Sequence, residues 1–226
     1  MKQAEKIVDE IINSVPSYCE DDELKIFTYI YVKVANLLEY DNNAAKLIDM
    51  HLAGYDRDKA NEHVIDPAST IECLIKGRAL CSGYASVLTY ILNKLGIETI
   101  TVTIKSDHQW NQVKINGTWY NCDLTNDSDF ILSDLECPHF LKSNDDDNNF
   151  SHSTEISSFH ECKTSISAEL QEQLINEAKK YINEIENKDK LQTTKEITDN
   201  EKEKKEPKFI KIIKTYLTNK KGVVKK

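Results

Sequence analysis

The period of the apolar positions changes part-way along the chain. From residue 2 to 14, Ile7, Val8, Ile11 and Ile12 recur at helical spacing, and Pro16 ends the run. Asp21 or Asp22 is placed to cap a second helix, carrying Leu24, Phe27, Ile30, Tyr31, Val34, Leu37 and Leu38 at the same period. Residues 44–53 predict a short third helix. Asp66-Pro67 then interrupts any helix and sets up Ser69-Thr70 as caps for a short apolar turn from Ile71 to Ile75. Val87, Leu88, Ile91, Leu92 and Leu95 mark one further helix over 82–95, with Gly96 as its stop.

Past Gly96 the period becomes that of a sheet. ETITVTIK is rich in β-branched residues and predicts a strand; QWNQVKI predicts a second, and TWYNCDL a third. Asn116-Gly117 between the last two is a strong hairpin signal, because both residues tolerate positive φ. Helices followed by an antiparallel sheet predict an α+β fold. Residues 126–165 read as less regular. An amphipathic helix is expected over 166–185, with Leu170, Leu174, Ala178 and Tyr181 at helical spacing. Residues 186–207 are almost all polar or charged and read as a linker or an exposed helix. Residues 208–226 form a basic amphipathic tail, with Phe209, Ile210, Ile213 and Leu217 among lysines.

Charge narrows the partners. The formal net charge of -9 argues against a protein built mainly to bind nucleic acid. The tail from Lys208 onward is the exception, with seven lysines and no acid. It suits a protein partner or an anionic surface, or simply packs on the domain. The N-terminus has no continuous apolar segment of the secretory kind, and no stretch reaches the roughly 18 apolar residues of a membrane span. The cytoplasm is the expected location. The six cysteines include no C-x-x-C pair, so reduced thiols are expected rather than a structural zinc or dithiol site. The polar run from Asn144 to Asn149 lacks the alternating ligands, central glycine and terminal glutamate of a calcium loop. His152, His160 and Cys162 lack a fourth metal ligand at suitable spacing.

Three residues carry the candidate chemistry. Cys81 opens the helix over 82–95, in KGRALCSGYASVLTYILNKLG. His108 begins the second strand, in DHQWNQVKINGTWY. Asp123 ends the third, in NCDLTND. Gly77, Ser82 and Gly83 let the chain turn tightly into the helix, whose free N–H groups favour a negative charge. A nearby imidazolium lowers a thiol's pKa, so Cys81 and His108 predict a reactive thiolate with a base beside it. Asp123 would orient the imidazole and stabilise its charged form. A turn centred on residues 116–117 sets position 110, rather than 108, opposite 123. An offset or a bulge is therefore required. Trp110 is a candidate wall of the site, and Asp107 is expected to face solvent. The bland reading of Cys73, Cys122, Cys137 and Cys162 is a small apolar core residue.

In this order the motifs resemble the transglutaminase-like superfamily, a branch of the papain-like cysteine enzymes. The residues 77–96 segment resembles the family's nucleophile segment, and residues 107–127 its His and Asp segments. The helix ending in Leu38-Glu39-Tyr40-Asp41, and the stretch from His139 to Ser143 and His152, resemble bacterial members more loosely. The resemblance covers roughly residues 20–160. It implies a papain-like core within residues 1–165, with Cys81 as nucleophile, His108 as base and Asp123 as third member. Papain-like peptidases often use an upstream Gln in the oxyanion hole. This chain has none between residue 4 and Cys81, so that role falls to backbone N–H groups or another donor, with Trp110 or Tyr84 as assisting and substrate-binding candidates.

The expected function is a cysteine-dependent hydrolase of a peptide or side-chain amide bond, acting on a peptide or protein through a Cys81 thioester. Amine transfer to protein glutamine is the alternative outcome of the same thioester. A non-enzymatic interaction module using the basic tail is the alternative of another class. No cofactor is required by this mechanism.

Overall fold

A computed structural model of the chain describes residues 2–46, 70–104, 108–146 and 160–205. The expected helix beyond residue 46, the Asp66-Pro67 break, Asp107, the polar run from residue 147, His152 and the basic tail lie outside the described residues. The chain divides into two units, residues 1–180 and 181–226.

The first unit is α+β. Helices α1 (Lys2–Asn13) and α2 (Glu23–Leu37) lead into a two-residue strand, β1 (Glu39–Tyr40). Then come α3 (Thr70–Lys76), β2 (Arg78–Ala79) and α4 (Cys81–Lys94). Strands β3 (Thr99–Ile104), β4 (His108–Ile115) and β5 (Thr118–Cys122) follow, then α5 (Leu124–Leu132). Helix α6 (Ala168–Lys205) begins in this unit, and its remainder is the described part of the second.

Local chemistry explains the boundaries. Asp22, not Asp21, caps α2: its Oδ1 accepts from the N–H of Leu24 at 2.9 Å and of Lys25 at 3.3 Å. Helix α4 stops in a Schellman turn, with the N–H of Ile97 donating to the Leu92 carbonyl at 3.0 Å and that of Gly96 to Asn93 at 3.1 Å. Asn116 and Gly117 take φ of 49° and 82°, the paired positive values that a tight hairpin demands.

Helix α2 is buried on more than one face, including Tyr29, Tyr31, Val32 and Ala35. Phe27, Tyr31 and Phe140 form an aromatic cluster with ring centroids 5.2 to 5.5 Å apart. Each such pair contributes about 0.5–1.5 kcal/mol beyond its area. Helix α4 lies at the centre, packing against α2 and α3 as well as against β3 and β4. The sheet is antiparallel in the order β3-β4-β5. Asn111 on β4 clamps it to α4, donating to the Ala85 carbonyl at 3.0 Å and to Thr89 Oγ1 at 2.8 Å.

Two elements depart from expectation. Residues 126–132, part of the stretch 126–165 expected to be less regular, lie in α5 (Leu124–Leu132). Residues 166–185 and 186–207 are not separate elements, since α6 runs continuously to Lys205. Its buried positions in the first unit are Gln171, Leu174, Ile175 and Ala178, whereas Leu170 is exposed. Gln171 decides that face by donating to the Cys137 carbonyl at 2.9 Å.

Candidate active site

Cys81 is placed by a short parallel strand pair. The N–H of Glu39 donates to the Gly77 carbonyl at 2.9 Å, and that of Asp41 to Ala79 at 3.0 Å. Gly77 adopts φ of 66°, and a Cβ there would stand 3.3 Å from the Leu37 carbonyl oxygen. Glycine thus allows α3 to reverse into β2 while lying against the end of α2. Gly83, by contrast, is a buried residue inside α4. The N-cap of α4 is Leu80, whose side chain offers no cap. The first N–H groups of the helix are consequently directed at the neighbourhood of Cys81.

His108 and Asp123 come together without a bulge. The β4–β5 ladder is regular as far as Asn111 opposite Cys122, which sets position 110 opposite 123. Residues 108 and 110 share a face of the strand, so His108 reaches Asp123 along the diagonal. Its Nε2–H donates to Asp123 Oδ2 at 2.5 Å. That leaves Nδ1 as the ring nitrogen for Cys81, with which the imidazole shares a hydrogen bond.

Asp123 also starts α5. Its Oδ1 accepts from the N–H of Thr125 at 3.1 Å and of Asn126 at 3.3 Å, while Asn126 Nδ2 donates to Oδ2 at 2.7 Å. One turn on, the fully buried Asp127 accepts from Tyr31 Oη at 2.9 Å and from the N–H of His139 at 3.0 Å. The His139 carbonyl in turn accepts from the Asp123 N–H at 3.3 Å. This second carboxylate ties α2, α5 and the segment around Phe140 behind the first.

The electrostatics favour a charged pair. Burial pushes the Cys81 thiol up. The hydrogen bond to His108, the N–H of Gln109, the His108 charge and the N–H of Ser82 outweigh it and leave the thiol below its ordinary value. The hydrogen bond to Asp123 raises His108 most, with Cys81 adding to it against the opposing effect of burial, to about 10. Burial moves other thiols the opposite way, with Cys137 and Cys162 pushed up to about 12 and Cys122 well above its ordinary value. All six cysteines are free, and Cys81 alone is not fully buried.

A cleft of about 520 Å³ opens on the pair, lined by Cys81 and His108 together with Glu39, Asn42, Asn126 and Asp129. Tyr84 lies in its floor, 1% exposed, with its hydroxyl donating to the Leu38 carbonyl at 2.9 Å. Trp110 is not among the lining residues. It stands behind the imidazole, with ring centroids 6.2 Å apart, and donates to Asn121 Oδ1 at 3.3 Å. His160 stacks on Trp119 at 3.7 Å, and Cys162 Sγ accepts from Gln112 at 3.3 Å. Among the described residues no group of His, Cys, Asp and Glu could hold a metal ion. Nor is any described helix long and apolar enough to cross a membrane.

The segment from Asp22's helix to the start of α5 is also where the sequence finds relatives. Residues 20–124 match the family model of the transglutaminase-like superfamily. Over that stretch, a little under half of its length, the chain is similar to this superfamily. Its members are typically cysteine-dependent enzymes. A solved structure described as a TGase aligns with 54% of this chain and 31% of its own length, at 19% identity and a TM-score of 0.44. The chain therefore spans less than a third of that protein. No curated protein matches the chain. The matched transglutaminase-like segment contains Cys81, His108 and Asp123, and it stops at the first residue of α5.

Asn126 and Asp129 were not singled out by the sequence reading. A D-x-x-N pattern at Asp123 would have marked Asn126 as the third residue of a capped helix.

Proposed function

We propose that this transglutaminase-like domain is a cysteine-dependent hydrolase of a peptide or side-chain amide bond. The observation carrying this reading is the continuous arrangement of Cys81 at a helix N-terminus, His108 hydrogen-bonded to it, and Asp123 on the far ring nitrogen. The Cys81 thiolate attacks the carbonyl carbon. The N–H groups at the start of α4 receive the developing oxyanion. The C–N bond breaks as His108 gives its proton to the leaving nitrogen, and a thioester remains. His108 then takes a proton from water as that water attacks the thioester, and the C–S bond breaks to release the acid and restore the Cys81 thiolate beside the charged imidazole.

Hydrolysis rather than amine transfer is favoured by the walls of the cleft. Glu39, Asn42, Asn126 and Asp129 are polar and exposed, and admit water to the thioester. A transferase must exclude water while it waits for an amine. Tyr84 is assigned a supporting role beneath the cleft.

The test is to incubate the chain with a peptide library offering backbone amides and glutamine side chains, in ¹⁸O water, with and without a primary amine. The expected result is an acyl adduct on Cys81 and one ¹⁸O in the released acid, both lost in Cys81→Ala. Amine incorporation exceeding hydrolysis would overturn the hydrolase assignment. Turnover unchanged in Cys81→Ala would overturn the mechanism.

A further inference from the structure

Resting on that reading of the triad, we propose that Asn126 is a positioning residue, holding the Asp123 carboxylate in the rotamer that meets His108.

The buried carboxylate of Asp123 has two oxygens with different duties. Oδ1 is committed to the start of α5, taking the N–H groups of Thr125 and Asn126. Oδ2 faces the imidazole and takes two side-chain donors, His108 Nε2 at 2.5 Å and Asn126 Nδ2 at 2.7 Å. The Asn126 side chain thus plays no part in the backbone cap. In the common arrangement at a helix start, the third residue's side chain reaches back to the N–H of the capping residue. Here that N–H is already donated to the His139 carbonyl, and the amide of Asn126 turns to the carboxylate instead.

Position matters as much as the bond. Asp123 is 2% exposed, whereas Asn126 lies at the surface of the cleft with Cys81 and His108. Asn126 thus links the lining of the cleft to the buried acid. Its donor meets the carboxylate at Oδ2, the same oxygen that His108 uses. Without it, Oδ2 loses one of two anchors, and water entering from the cleft competes with the imidazole for the same oxygen. A loosened carboxylate holds the imidazolium less well, and a less stable imidazolium holds the thiolate less well.

The experiment compares the pH profile of Cys81 alkylation in the intact chain with those of Asn126→Leu and Asn126→Gln, alongside thermal melts. Leucine fills the space without a donor; glutamine keeps one. In Asn126→Leu the acid limb of the profile is expected to move up, and the neutral rate falls about tenfold. Asn126→Gln recovers most of that rate. The melting temperature stays close to that of the parent chain, because the Asp123 cap is intact. An acid limb moved up with an unchanged melt establishes positioning. A profile superimposable on the parent's overturns the proposal and leaves the triad standing. Should the parent itself show an ordinary thiol profile, the triad reading and this proposal fall together. Should Asn126→Leu not fold, Asn126→Ala together with the His108 ring titration by NMR decides, and an unmoved His108 titration overturns the proposal.

Discussion

His108 Nε2 and Asp123 Oδ2 meet at 2.5 Å along a diagonal of the β4–β5 hairpin, and the same carboxylate caps α5 through its other oxygen. On the proposed mechanism, one side chain thus serves the triad and the start of a helix through separate atoms. This makes the two roles separable by mutation. Asp123→Asn retains an oxygen for the cap and loses the charge facing His108. It is expected to lose about a hundred- to ten-thousand-fold in amide turnover. Asp123→Ala should add a stability loss of about 0.5–2 kcal/mol from the missing cap. Turnover rates and urea midpoints of the two variants, measured side by side, check this. Equal destabilisation by both would contradict it.

The charged Cys81–His108 pair sets a pH window. The thiol is lowered and the imidazole is raised to about 10, so the thiolate and imidazolium coexist between these values. Alkylation of Cys81 should already be fast below the ordinary thiol value of 9.0. The sign for His108→Ala follows from the opposing causes. Burial, which raises the thiol, persists, while the hydrogen bond and charge that lower it are gone. The acid limb therefore moves up. Folding stability moves with it. The imidazolium's contribution is present below its ordinary value and is lost as pH rises through about 10. Site-resolved mass spectrometry should also find Cys122, Cys137 and Cys162 unlabelled until the protein unfolds. A profile unmoved by His108→Ala would remove the pair.

Asp127 governs stability rather than chemistry. Its carboxylate is buried and receives Tyr31 and His139. Asp127→Ala leaves the Tyr31 hydroxyl and the His139 N–H without that acceptor in the core. A loss of about 3–5 kcal/mol is expected, as when one partner of a buried charged network is removed. Burial raises this carboxyl despite the donors around it. The unfolded chain therefore releases the proton first, and Asp127 draws stability down as pH rises from its ordinary value of 3.8. Asp127→Asn should remove that part of the slope. Urea melts of both variants near pH 4 and pH 7 give the difference, and parallel slopes for wild type and Asp127→Asn would refute it.

Much of this site can be read from residue patterns because its parts lie on regular elements. The Asn116-Gly117 turn fixes the hairpin register, and the register fixes which face carries residue 108. Gly96 closes α4 where the periodicity of Leu88, Ile91 and Leu92 ends. Helix α5 is less legible, because Leu124–Leu132 is written in Thr, Asn, Asp and Ser, the vocabulary of turns. What makes it a helix is tertiary: the Asp123 cap, and Asp127 satisfied by residues 96 positions back and 12 ahead. Trp110 misleads for a related reason. It shares a strand face with His108, yet its neighbours Val102 and Asn121 draw it into the core behind the imidazole. Periodicity assigns a face; it does not say whether that face ends in a cleft or against another layer.

Two glycines with the same backbone requirement should then differ in effect according to what they position. Gly77 and Gly117 both have positive φ, 66° and 82°. Alanine at either adopts that conformation at a cost of about 1–2 kcal/mol. At Gly117 a Cβ meets nothing within 4 Å, so the loss should stop there and leave Cys81 chemistry unchanged. At Gly77 the Cβ would press on the Leu37 carbonyl at 3.3 Å, and the Gly77 carbonyl accepts from Glu39 in the strand pair leading to Cys81. Relief of that contact shifts β2 against β1, and with it the start of α4. Gly77→Ala is therefore expected to lower the Cys81 alkylation rate several-fold, at a temperature where both variants remain folded. Gly117→Ala should match the parent. Equal rates in the two variants would show that Cys81 is held by α4 alone, without the strand pair behind it.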